Sequence, residues 1–158
     1  MNNTTLRVAN KNDVELIFNW ANDSLVRKNS YDSNRIKLED HKKWFFKKIK
    51  DRSILFLIAL VNNKPAGLVR FAIGEEYSVV GVLVSKAYRG QKLASEFLKE
   101  SSRNYFETYS QPILAYIKDI NKASIKSFEN AEYVYFTEEK IDECTSFVYK
   151  LERKDVKE

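Results

Sequence analysis

The chain has 158 residues, 44% hydrophobic and 13% aromatic, a composition that suits one folded domain and excludes a disordered polypeptide. Its net charge is +5, but Asp and Glu are interspersed among the Lys and Arg, so the charge fits a small anionic ligand as well as a polyanion. Cys144 and His41 are the only residues of their kinds, which excludes an intrachain disulfide and a Cys/His zinc cluster.

In chain order, "TTLRVAN" reads as a first strand, and "NKNDVELIFNWAN" as a helix capped by Asn12 or Asp13 with Val14, Ile17 and Phe18 turned inward. Residues 38–51 form a second helix. Within it "HKKWFFKKIKDR" mixes lysines with aromatics, yet Phe45 and Ile49 repeat at i, i+4, which is the pattern of an amphipathic helix with a solvated face rather than of a nucleic-acid interface. "SILFLIALV" and "AGLVRFAIG" follow as strands joined by the turn "NNKP", and "YSVVGVLVS" completes an antiparallel meander. A helix over about 91–107, a buried strand "PILAYIK", a short helix over about 122–130 and a closing hairpin "AEYVYFTEEKIDECTSFVYKLER" end the chain. The order is βααβββαβαββ. The longest apolar run is "ILFLIALV", far short of the roughly 20 residues of a membrane span, and the first residues lack a signal-peptide core. One cytoplasmic domain over residues 1–158 is expected, without membrane or nucleic-acid partners. A homodimer is left open.

The stretch that carries chemistry is "GVLVSKAYRGQKLASEFL", residues 81–98, where a β-branched strand runs through a basic turn into a helix. A helix N-terminus presents free N–H groups and a partial positive charge, so a turn of this kind is suited to an anion. Gly90 allows the sharp turn and Ala94 leaves its N–H open. The spacing matches neither a P-loop nor a dinucleotide fingerprint.

The segment resembles the coenzyme A signature of the GNAT N-acetyltransferases, Arg/Gln-x-x-Gly-x-Gly/Ala after a strand. Arg89 and Ala94 match its ends, while Lys92 stands where glycine is usual. "NKASIKSFENAEY" resembles the family's second signature through Asn121, Ser124, Phe128 and Tyr133, with Glu132 at a common glycine. "WANDSLVRKNS" and "HKKWF" resemble the subgroup that acetylates nucleotide-activated amino sugars in the pseudaminic acid pathway. The resemblance implies a GNAT fold of the α/β (α+β) class, with a mixed, mostly antiparallel sheet of about 6–7 strands flanked by about four helices. It further implies acetyl-CoA as co-substrate, no metal, and a primary amine of a nucleotide-linked amino sugar as acceptor.

On that reading the pantetheine arm pairs with Leu83, Val84 and Ser85. The Val84 N–H stabilises the oxyanion, and Arg89, Gly90, Gln91, Lys92, Leu93, Ala94 and Ser95 cradle the pyrophosphate, with Asn121, Ser124 and Phe128 opposite. The family often uses a tyrosine where Phe128 stands, so the substitute acid is Tyr133, Tyr116 or water, and Glu75, with Glu76 beside it, is the nearest candidate base in sequence. Arg27 and His41 are expected to hold the acceptor's diphosphate, Trp44 to stack, and Arg70, a charge inside an apolar strand, to need a partner. Protein N-terminal or polyamine acetylation, and a non-catalytic CoA-binding module, are the alternatives.

Overall fold

Alternation along one strand sets up two cores. β2 (Ile54–Val61) sends Leu55, Leu57, Ala59 and Val61 to one face of the sheet and Ile54, Phe56, Ile58 and Leu60 to the other, and each set packs into its own cluster. Burial on both faces is why the segment is apolar without interruption. The computed structural model describes residues 3–156, so the two outermost residues at each end of the expected domain lie outside the described residues.

β2 is joined by β1 (Thr4–Val8), β3 (Lys64–Ala72), β4 (Ser78–Val84), β5 (Ile113–Lys118), β6 (Val134–Ile141) and β7 (Cys144–Leu151) in one sheet of order β1-β2-β3-β4-β5-β7-β6. Only β4 and β5 run parallel, and they share two residue pairs, Ser78 with Ile113 and Val79 with Leu114. Beyond those pairs they splay. The β2–β3 hairpin turns through Asn62 and Asn63, both at positive φ (51° and 67°), a conformation asparagine tolerates.

α1 (Val14–Ala21), α2 (Ser24–Asn29) and α3 (Leu38–Lys48) precede β2, α4 (Leu93–Thr108) follows β4, and α5 (Lys122–Asn130) follows β5. Phe97, Leu98 and Tyr105 of α4 and Phe128 of α5 cover one sheet face, while Ile17 of α1 and Phe45 of α3 cover the other. Each such burial contributes about 1.5–3 kcal/mol relative to exposure. The expected order holds except for α2, whose sequence "SLVRKN" buries no residue and carries no amphipathic signal. The first cap falls on an expected residue but works differently. Asp13 stands at the N-cap of α1 as expected but makes no side-chain cap bond there; instead it accepts from the Asn10 N–H while Asn10 accepts from the Asn12 N–H at 2.8 Å, a capping box on the 3-10 turn that leads into α1.

Candidate active site

The splay leaves one edge of β4 open, and the ladder fixes which residues face it. The Ser85 N–H donates to Ala66 O on the β3 side at 2.8 Å, and the Ser78 N–H donates to Pro112 O on the β5 side at 2.9 Å. Since backbone groups alternate along a strand, Val82 and Val84 turn their N–H groups to the open edge, whereas Leu83 and Ser85 spend theirs on β3. This corrects the expected pantetheine contacts at Leu83 and Ser85. Val84 keeps its N–H for the cleft, while its carbonyl accepts from Arg89 Nε at 3.2 Å.

The open edge leads to the turn. Gly90 has φ 80° and Lys92 φ 60°, both in the left-handed region. The usual glycine at the Lys92 position is therefore a backbone requirement, and lysine there carries about 1–2 kcal/mol of strain. Lys92 is the N-cap of α4 and offers no side-chain acceptor, so the first N–H groups of α4, at Leu93, Ala94 and Ser95, have no side-chain cap. A free strand edge running into an uncapped helix start fits a chain-like ligand ending in a diphosphate. Glu132, the second departure from a family glycine, also lies at positive φ (73°), where α5 ends and the Tyr133 N–H closes back on Phe128 O.

The cleft between β4 and β5 has a volume of about 670 Å³, and its lining includes Val84, Gly90, Ala94, Tyr116, Ser124 and Phe128. Asn121 caps α5 by accepting from the Ser124 N–H at 3.2 Å. Tyr133 is not in the lining. It is buried behind Phe128, its hydroxyl shares a 2.9 Å bond with Ser102, and burial raises its pKa far above the ordinary value. Two tyrosines line the cleft, Tyr88 just past β4 and Tyr116 of β5, and the pKa of Tyr116 is pushed up to about 12 by burial and then by its hydrogen bond with Tyr77. Among the described residues that line the cleft there is no carboxylate and no imidazole. Glu75 and Glu76 are exposed in the turn before β4. Ser78, where β4 begins after that turn, is already about 20 Å along the strand from Val84, so the two carboxylates are too far to act as a base there.

α2 spans the splay. Asp23 caps its start and is gripped by Arg89 at 2.7 Å, a bond that holds the Asp23 carboxyl below its usual range. At the other end Lys118 of β5 donates to Ser30 O at 2.6 Å and Lys28 O at 3.4 Å. An anion at the N-terminus and a cation at the C-terminus suit the helix dipole. Arg89, expected at the phosphate, thus holds Asp23, and Asp23 and Lys118 were not among the expected site residues. The acid-cap pattern "DSL" was the available signal.

The expected acceptor residues separate. Arg27 donates to the carbonyls of Ala21, Asp32 and Asn34 and to Ser30 Oγ, organising the loop after α2. His41 is 3% exposed, bonds Val14 O through Nε2 at 2.9 Å, and packs among Phe18, Trp44 and Phe45. Neither converges on the cleft. Arg70 and Trp44 do meet, the guanidinium lying 5.2 Å from the indole centroid.

The Acetyltransferase (GNAT) domain model matches residues 3–134, and the chain belongs to that family. It is an acetyltransferase, and acetyl-CoA is its acetyl donor. No curated protein sequence matches it. The fold is similar to the spermidine N-acetyltransferase from Vibrio cholerae in complex with CoA and spermine (TM-score 0.88, 12% identity, 97% of each chain covered). It is also similar to the aminoglycoside acetyltransferase AAC(6')-Ib in complex with coenzyme A (TM-score 0.84, 16% identity, 97% of this chain and 96% of that one). An N-acetyltransferase from Staphylococcus aureus Mu50 has TM-score 0.75 at 20% identity, with 95% and 98% covered.

Proposed function

We propose that the protein, working as one cytoplasmic domain, transfers acetyl to the amine of a nucleotide-linked amino sugar. The observation that carries the transfer is the open edge of β4 running into the uncapped start of α4. Val82 and Val84 offer N–H groups to a pantetheine arm, and the N–H groups of Leu93, Ala94 and Ser95, with the Lys92 ammonium, receive a pyrophosphate. Acetyl-CoA supplies an activated thioester. The Val84 N–H faces the carbonyl oxygen and stabilises the charge that develops there. Tyr116, kept protonated by its raised pKa, replaces Tyr133 as the proton donor to the departing thiolate. With no carboxylate or imidazole in the described lining, the acceptor ammonium loses its proton through solvent.

The amino-sugar acceptor is supported by Arg70 and Trp44, a guanidinium and an indole able to meet a phosphate and a ring. Arg27 and His41, engaged elsewhere, do not contribute. A polyamine acceptor has one observation in its favour. Glu139 and Asp142 act electrostatically on Tyr31, and Glu139 also acts on Tyr116, which places negative charge near the cleft's rim. Thiol release from acetyl-CoA decides between them. We expect UDP-linked amino sugars to exceed spermidine at least about tenfold in kcat/KM, a difference of ~1.4 kcal/mol. Preference for spermidine would overturn the amino-sugar assignment.

A further inference from the structure

Gly81 sits in the middle of β4, where its neighbours along the strand are valine and leucine, yet a Cβ built on it meets nothing within 4 Å. The fold does not need glycine there. This contrasts with Gly67 on β3, whose Cβ would collide with Leu83 O. Gly81 is exposed and lines the cleft, so the space above it is open to a ligand.

Two side chains flank that space from opposite strands. Arg70 is the cross-strand partner of Gly81, and partners in a pair share a face. The guanidinium rests on Trp44 of α3, which identifies that face as the one covered by α1 and α3. On the other side, Ala115 and Ile117 of β5 belong to the core under α4, so Tyr116 between them points to the same face as Gly81. Extending the parallel register from Val79–Leu114 by two residues sets Tyr116 opposite Gly81 across the splay.

The Arg70 side chain is mostly buried, and among the described residues its guanidinium makes no ion pair or hydrogen bond and lies over the Trp44 ring. Burial without a carboxylate lowers its pKa, the mark of a charge whose counter-ion is missing. Val84 is three residues from Gly81, about 10 Å along the strand, so an acceptor spanning the two positions is roughly the size of one sugar ring with a substituent.

Resting on the acetyltransferase reading above, we infer that the hollow over Gly81, between Arg70 and Tyr116, is the acceptor site and takes an amine that also carries a phosphate or carboxylate, bound by Arg70. Gly81 determines specificity by leaving room for the acceptor's ring.

Trp44 reports on this site directly. In a Trp20→Phe background it is the one remaining tryptophan, and an anion on Arg70 alters its emission. With CoA present, titration with glucosamine 6-phosphate should give a saturable change, with glucosamine at least about tenfold weaker. Arg70→Met and Gly81→Val should each abolish that response while acetyl-CoA affinity, measured by calorimetry, stays within about twofold of the parent. Loss of acetyl-CoA binding in the parent would sink the acetyltransferase reading itself. Acetyl-CoA binding with no response to the phosphate, an equal response to both sugars, or a response that survives Arg70→Met would overturn the anion site alone.

Discussion

The two halves of the proposed site are made of different material. The donor half is backbone: the free N–H groups of Val82 and Val84, a turn held at positive φ by Gly90 and Lys92, and the uncapped start of α4. The proposed acceptor half is side chain: Arg70 resting on Trp44 and Tyr116 bonded to Tyr77, two pairs that come from two strands, a helix and a turn on either side of the open space at Gly81. Backbone chemistry follows local sequence, because a turn and its helix are contiguous. Side-chain constellations follow topology. The donor half is therefore readable from residues 81–98, whereas the acceptor half is assembled from residues spread between 44 and 116.

Substitutions can test whether the halves separate. The largest effect belongs to Gly67→Ala, because its Cβ would collide with Leu83 O and lie 2.9 Å from Phe97. Backbone cannot yield there as a flexible side chain would, so we expect a loss above about 3 kcal/mol in urea unfolding, against a neutral outcome for Gly81→Ala. Arg89→Ala strikes the donor half by releasing Asp23 and the Val84 carbonyl. The Asp23 pair is partly buried (side chains 26% and 17% exposed), so the expected cost is about 1.5–3 kcal/mol, with weaker acetyl-CoA binding in calorimetry.

Tyr116→Phe should lower kcat about tenfold or more with little change in the acetyl-CoA KM, while Tyr133→Phe should cost about 1 kcal/mol of stability through the lost Ser102 bond and leave kcat intact. Equal kcat for both variants would return proton donation to solvent. Lys92→Gly should raise stability by about 1 kcal/mol by removing a left-handed lysine, yet weaken acetyl-CoA at low salt more than at high salt.

The smallest effect is a pH slope. Burial holds the His41 pKa below its ordinary 6.5, outweighing the bond to Val14 O. A depressed histidine pKa means that the unfolded chain takes up a proton before the folded one does. Stability is therefore complete above pH 6.5 and falls as the pH drops below it. The urea midpoint of the wild type should decline between pH 7 and pH 5.5, and that of His41→Phe should decline less.

What the sequence made legible follows the same division. The apolar run of β2 and the strand–turn–helix at 81–98 were readable because each is explained by its own residues. Lys92 and Glu132 were visible as departures from glycine, but their left-handed φ was not. α2 escaped because its six residues bury nothing, and its ends are held by Arg89 and Lys118, far away in sequence. His41 and Trp44 share a helix face as their spacing required. That face is turned toward α1 and β2, a matter of tertiary packing. Glu75 misled because nearness in sequence to a strand's start is remoteness from its end.

α2 also has a mechanical meaning. β4 and β5 are joined by two residue pairs at one end and diverge freely at the other, so nothing in the sheet itself sets how far apart they stand. A six-residue helix about 9 Å long, fastened to Arg89 just past β4 and to Lys118 at the tip of β5, works as a strut of fixed length. The width of the gap is thereby written in the number of residues between Asp23 and Ser30. Lengthening or shortening that segment would re-gauge the opening and at the same time shift Leu25, Val26 and Asn29, which α2 contributes to its lining.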